Sequence, residues 1–382
     1  MSLLPHRLPR RFSALAVLAL VGLAACGEQG AGPIASRQPL QEPARNRIAL
    51  LLPLSGPQAS LGRAMEQAAE LAMFERGGRT VDFLPMDTGS TASGAAGAAR
   101  QAVGAGARVI VGPLTAAETS AASAPARAAR IPVIAFTNDA AQSGPGVWTL
   151  GVTPAQQVRR AMGAAMSNGA QRFAVAAPDD GFGRALAAAM RSVASEWGLP
   201  DPTVVLHPAR ASGGQVAQEI AQRTAGAVDA VLIGSTGALA RGIAAGLGPA
   251  GLNAPAPRIL GHALWAQDAT LGQEPALHGA LFAAPDPRSR ASFDARFEGA
   301  FGERPPRLAG IAYDAAGVAA RVVLTPRGQA GPNTGEVFDG VDGPVRLQPE
   351  GLVQRGLALF AVEPSGESRM VERAPAPGAA GS

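Results

Sequence analysis

From Arg47 onward, apolar and polar positions fall into two alternating rhythms. Arg47–Leu54 (RIALLLPL) is an unbroken apolar run, as expected of a strand buried on both faces. Helical spacing follows over Leu61–Arg76, a strand over Thr80–Met86, a helix over Gly94–Ala105 and a strand over Arg108–Val111. Thr115–Arg130 then reads as a helix and Pro132–Phe136 as a strand. Strict alternation of this kind predicts a parallel sheet with helices on both faces. Trp148–Thr153 reads as a connecting segment. The pattern restarts with a strand at Arg172–Ala177, a helix at Phe182–Glu196 and a strand at Thr203–His207. Next come a helix at Gln215–Thr224, a strand at Ala227–Ile233, a helix at Gly237–Leu247 and a strand at Arg258–Gly261.

The two halves echo each other. Arg47-Ile-Ala-Leu-Leu-Leu-Pro53 precedes Gly62-Arg63-Ala64, and Arg172-Phe-Ala-Val-Ala-Ala-Pro178 precedes Gly183-Arg184-Ala185. Two strand–loop–helix openings about 125 residues apart predict two similar α/β lobes. Beyond a strand at Ala280–Ala284, helices are expected at Ser289–Phe301 and Ala309–Leu324, then a polar segment over 325–340. Gly343–Leu347 and Leu357–Val362 read as a hairpin with Pro349-Glu350-Gly351 in its turn. The Ala/Pro/Gly-rich 373–382 reads as a disordered tail.

The first 46 residues follow neither rhythm. His6, Arg7, Arg10 and Arg11 precede a twelve-residue apolar run, Ala14–Ala25, which ends at Cys26. A basic start, a short apolar stretch and small residues describe a secretory signal peptide over 1–25. As a helix the run spans about 18 Å, well short of a bilayer core of about 30 Å. Residues 26–46 read as a flexible tether.

Composition narrows the chemistry. The chain holds 382 residues at 47% hydrophobic and 16% charged, too apolar and too weakly charged to be mostly disordered. It contains no lysine, which removes a P-loop, a Schiff base and a Ser-x-x-Lys nucleophile. Cys26 is its one cysteine, so a zinc cluster or disulfide framework is excluded. His207, His262 and His278 lack the spacing of a helical ligand pair. Gly246-Leu-Gly-Pro-Ala-Gly251 matches a dinucleotide fingerprint in form only, because it ends a helix and contains Pro249. No catalytic residues, metal site or cofactor are expected. The formal charge of +4 includes three arginines of the signal segment, and the remaining Arg is scattered among acids. Nucleic acid is therefore not an expected partner.

Leu23-Ala24-Ala25-Cys26 resembles the bacterial lipobox. The resemblance implies cleavage before Cys26, acylation there, and membrane attachment through the lipid alone. Gly27, in the absence of Asp at that position, implies the outer membrane. Ile48–Gly56, Val109–Thr115, Ile131–Phe136, Ala177–Gly183 and Gly343–Phe360 resemble type I periplasmic binding proteins, in the same order and spacing. That resemblance implies two Rossmann-like lobes joined by a three-strand hinge. The first lobe would be 46–149 plus 286–340, and the second 150–285 plus 341–372. Gly112-Pro-Leu-Thr115, Thr137-Asn-Asp139, Val147–Gly151 and Val158-Arg-Arg160 resemble, within that superfamily, the penicillin-binding-protein activator lipoproteins. These imply a bifunctional penicillin-binding protein as partner. The alternative is an ABC permease plus a small ligand, a branched-chain amino acid or related solute.

Ligands of open α/β sheets lie beyond the C-terminal strand ends. That rule selects Ser55, Gly56, Leu114, Thr115, Thr137, Asn138 and Asp139 from the first lobe, and Asp179, Asp180, Phe182, Ser235, Thr236 and His262 from the second. A helix starting near Thr115 would aim free N–H groups at an anionic ligand group. Thr115, Asn138 and Asp180 equally suit helix capping. The resemblance to branched-chain amino acid binders breaks at Ala116, Asp139 and Phe182, where those proteins place Ser or Thr, Thr and Tyr. They also place a Glu that has no counterpart near Gly261–Trp265.

Overall fold

The computed structural model describes residues 46–76, 81–225, 227–252, 256–324, 332 and 334–379. The signal segment, Cys26 and most of the tether lie outside these residues. The first sheet contains β1 (Asn46–Leu52), β2 (Val81–Asp87), β3 (Val109–Val111), β4 (Val133–Ala135) and β5 (Val147–Thr149). Its order is β2-β1-β3-β4-β5 and every pair is parallel. The strand period of two sorts its side chains. Ile48, Leu50 and Leu52 face one core, and Ala49 and Leu51 face the other.

Five helices cover this sheet: α1 (Ala59–Arg76), α2 (Ala92–Gly104), α3 (Ala116–Ala128) and, much later in the chain, α8 (Pro287–Phe301) and α9 (Ala309–Leu324), which form one layer with α1. The intervening elements build the second lobe: α4 (Pro154–Met166), β6 (Phe173–Pro178), α5 (Gly181–Glu196), β7 (Thr203–His207), α6 (Gly213–Thr224), β8 (Ala230–Ile233), α7 (Gly237–Leu247), β9 (Arg258–Gly261) and β10 (Leu281–Ala284). Only then come α8 (Pro287–Phe301) and α9 (Ala309–Leu324). Phe293, Phe297, Ile311 and Tyr313 of this late pair share a core with Leu50 and Met65. The alanines of α2 and α3 cover the other face, their small side chains allowing close helix–sheet approach.

The second sheet runs β15-β14-β10-β9-β8-β6-β7, with β14 (Ala358–Val362) and β15 (Ser368–Glu372) added antiparallel. Its faces split in the same way, Ala174, Ala176 and Ile233 toward α6 and α7, and Val175, Ala177 and Leu232 toward α4 and α5. The repeated sequence opening has a physical cause. A Cβ on Gly62 would lie 2.1 Å from the Pro53 carbonyl oxygen, and one on Gly183 would lie 1.9 Å from that of Pro178. In both lobes the helix that follows the first strand crosses that strand's end where only glycine fits.

Several elements depart from the expected pattern. Pro154–Met166 is a helix with a Thr153–Gln156 capping box, in a stretch left unassigned from sequence. Val147–Thr149 is a strand rather than a connector. Gly343–Leu347 (β12) does not pair with Ala358–Val362. It pairs antiparallel with β11 (Val337–Gly340) and with β13 (Val353–Arg355), a short strand hidden by Gln354 and Arg355. Val341, Val345 and Leu347 pack into the first lobe's core, whereas the expected boundary after 340 put them with the second.

The chain thus crosses between lobes at 150–153, 285–286 and 356–357. Arg355, 1% exposed, ties these strands: its guanidinium donates to the Leu150 carbonyl at 2.8 Å and the Asp342 carbonyl at 3.1 Å. Arg160 donates to the Leu357 carbonyl at 3.0 Å.

Residues 373–379 do not fray. Pro377 is buried, and Gly378 lies beside Arg346 and Gln354 of the first lobe's hairpin. The segment leaves β15 of the second lobe and reaches β12–β13 of the first. It passes so close to the third crossing that a Cβ on Gly356 would lie 2.0 Å from the Pro375 carbonyl oxygen. Gly356→Ala is therefore expected to lower stability by about 1–3 kcal/mol and to open the C-terminal segment to protease. Chemical denaturation and limited proteolysis read both effects, and an unchanged cleavage pattern would contradict this packing.

Candidate ligand-binding cleft

The C-terminal ends of the strands in both lobes open onto one cleft of about 950 Å³, lined also by Gly151, Val152 and Pro285 of the first two crossings. Its walls are largely apolar. Phe136, Leu308 and Ile311 come from the first lobe, and Phe182, Leu264 and Phe360 from the second. Leu264 and Leu308 are 55% and 37% exposed, unusual for leucines and consistent with a surface built to be covered.

Among the residues expected from sequence, Leu114, Thr115, Thr137, Asn138, Asp139 and Phe182 line this cleft. Thr115 starts α3, yet its groups do not face outward. Its N–H and hydroxyl both donate to Glu118 Oε2, at 3.0 and 2.8 Å, and its hydroxyl oxygen accepts from the Glu118 N–H. The other oxygen of Glu118 accepts from the Thr88 hydroxyl at 2.6 Å, and Glu118 is 1% exposed. The Thr115 N–H and hydroxyl are thus engaged by the chain's own carboxylate in a capping box. Asp139 caps the short turn Ala140–Gln142, accepting from the Ala141 N–H at 3.0 Å and from Gln142 Nε2 at 3.1 Å. Asn138 is exposed beside it.

The remaining expected residues stand apart from the cleft lining. Ser55 and Gly56 belong to a turn built on Asp87, whose carboxylate accepts from the Leu54, Ser55 and Gly89 N–H groups and the Ser55 hydroxyl. Burial works to raise the Asp87 carboxyl, but these hydrogen bonds outweigh it and hold it below the usual range. Asp180 caps α5 through the Gly183 N–H at 2.8 Å, and Asp179 pairs with Arg184 on the surface. Thr236 is exposed and makes no side-chain cap. Ser235 is buried, with its hydroxyl 3.2 Å from His207 Nε2. Its carbonyl accepts from Trp265 Nε1 at 2.8 Å and is 3.3 Å from His262 Nε2.

His262 lies behind the wall rather than in it. Its ring meets Phe182 edge-on at 5.2 Å and is 1% exposed, and its Nδ1 has no partner. Burial lowers its pKa to about 4, the Ser235 carbonyl opposing only in part.

The floor holds the polar groups that linear reading missed. Arg307 pairs with Asp342 at 3.0 Å, and both line the cleft. Buried Gln157 accepts from the Ala263 N–H at 2.8 Å, joining the first helix of the second lobe to the loop after β9. Behind them Asp314 accepts from the Val341 N–H, and burial pushes its carboxyl up to about 7 against the opposing charge of Arg355. Among the described residues there is no group of three His, Cys, Asp or Glu side chains placed to hold a metal, and no helix long and apolar enough to cross a membrane.

A family model described as periplasmic binding protein matches residues 46–363. No curated protein matches the chain. Among solved structures, a putative branched-chain amino acid ABC transporter protein from Rhodospirillum rubrum is similar with a TM-score of 0.67 at 21% identity, over 86% of this chain and 100% of that one. Full-length LpoA from Haemophilus influenzae gives 0.67 at 19% identity, over 86% of this chain and 59% of that one. The C-domain of the same LpoA, described as a regulator of PBP1A, gives 0.66 at 18% identity, over 85% and 100%. At these identities the likeness is one of fold.

The buried histidine makes a pH prediction. Its folded-state pKa lies below the ordinary value of 6.5, so its neutral burial stabilises fully above that pH and is lost as pH falls toward 4. The stability difference between the native chain and His262→Gln should therefore shrink steadily from pH 7 to 4.5. Denaturation series at matched pH measure it, and a constant difference would show that the ring is not held neutral.

Proposed function

The chain belongs to the periplasmic binding protein family, and from that premise we propose that it is a non-catalytic lipoprotein that regulates a bifunctional penicillin-binding protein, a synthase of peptidoglycan. The observation that carries this reading is the Glu118 carboxylate seated on the N-terminus of α3. A receptor for amino acids needs such a terminus open to the carboxylate of its ligand. Here the Thr115 N–H and hydroxyl are taken up from within, and Ala116 supplies no hydroxyl beside them. A bilobed body without that subsite fits a protein that works through its surface on a partner. LpoA, described as a regulator of PBP1A, shares this fold.

Attachment follows from the lipobox Leu23-Ala-Ala-Cys26. Acyl chains on Cys26 would hold the chain to the periplasmic face of the outer membrane, at about 0.8 kcal/mol per buried methylene. A second reading, a solute receptor for an ABC importer, draws on the cleft of about 950 Å³ and its apolar walls. In that case the lobes would close on a small ligand.

Adding the purified chain to a bifunctional penicillin-binding protein from the same cell should raise its glycan polymerisation or cross-linking rate. A chain that leaves the rate unchanged and is stabilised by Leu, Ile or Val, by about 2.7 kcal/mol at 100 times Kd, belongs to the importer reading instead. Cys26→Ser should release the protein from membranes or leave it as an uncleaved precursor. Cell fractionation decides this, since mature-sized variant still pelleting with membranes would contradict the anchor.

A further inference from the structure

The charged groups of the cleft are not balanced. Three of its lining residues are acids, Asp139, Asp342 and Glu367, and one is basic, Arg307. Arg307 is already neutralised by Asp342 at 3.0 Å. Among the described residues, neither Asp139 of the first lobe, whose two oxygens accept from the Ala141 N–H and from Gln142 Nε2, nor the exposed Glu367 of the second forms an ion pair. Beneath Thr115 the buried Glu118 adds a further negative group where a helix N-terminus would otherwise attract anions. Between these two acids the walls are aromatic and aliphatic, with Phe136, Phe182 and Phe360 among them.

We propose that the cleft binds an organic cation, an apolar body carrying an ammonium group, and rejects free carboxylates. The apolar body would remove Leu264 and Leu308 from water. The ammonium would lie toward Asp139 in a partly dehydrated space, where a single charge pair counts for more than in bulk water, and the aromatic faces would add cation–π attraction. Glu118 acts as the excluding element, since a ligand carboxylate brought to Thr115 meets a like charge and finds both the N–H and the hydroxyl engaged. This ligand class goes beyond the regulatory reading and does not depend on it, because the synthase assay and a binding measurement on the isolated chain can fail separately.

Isothermal titration calorimetry on the purified full-length chain at pH 7, with 4-phenylbutylamine and 4-phenylbutyrate as a matched pair, tests it. The amine should bind at least about tenfold more tightly than the acid, and its affinity should fall as salt is raised. Asp139→Asn keeps one acceptor for the Ala141 N–H, gives up the one for Gln142 Nε2, and should weaken the amine severalfold in a chain that thermal denaturation shows still folded. Glu118→Gln should narrow the gap by admitting the acid. Equal or tighter binding of the acid, or no amine binding at millimolar concentration, would overturn the proposal.

Discussion

Every central strand in both sheets carries apolar side chains on its two faces, so neither sheet is stable until it is covered twice. Residues 46–149 supply one layer for the first sheet and part of the other. The missing part, α8 and α9, is encoded beyond residue 286, after the whole parallel portion of the second lobe. The demand for two-sided burial therefore forces the chain to leave the first lobe, build most of the second and return. Two of the crossings that result, through Gly151, Val152 and Pro285, line the cleft. Packing thus creates the groove, and the groove's depth follows from the interleaving of the lobes.

The crossings are polar where they meet. Arg355 is buried and donates to carbonyls of two separate segments, its Nε without a partner, while Asp314 and Asp342 lie close by. Buried charges of this kind contribute little net stability, but they penalise any arrangement that leaves them unpaired. Arg355 thereby links the first crossing at Leu150 to the turn at Asp342. The C-terminal segment adds a further tie, passing from β15 to the β12–β13 hairpin against Gly356.

The candidate site was only partly legible. The loops after β3 and β4 were found because the rule for open α/β sheets depends on strand order alone, which apolar runs reveal. Asp180 and Ser55 obeyed the same rule and still serve local structure, because capping and ligand binding call for the same residue types. Arg307, Asp342 and Gln157 were missed because nothing local marks them. They stand on three segments up to 185 residues apart along the chain, from Gln157 to Asp342, and come together only in the cleft. Glu118 was readable as the third position of a capping box after Thr115. What the box does to an anion could be judged only once Thr88 and burial were in view.

By itself, the sequence determined the two α/β lobes and the position of most strands and helices, in a chain without lysine. These depend on periodicity and composition, which are local quantities. Tertiary structure decided which strand pairs with Gly343–Leu347, where the tail lies, and which side chains share the cleft. Those outcomes depend on contacts between distant segments, and their energies arise only when the segments meet. Hydrophobic patterning therefore specified the layers, while the polar floor and the charge of the groove emerged from how the layers were joined.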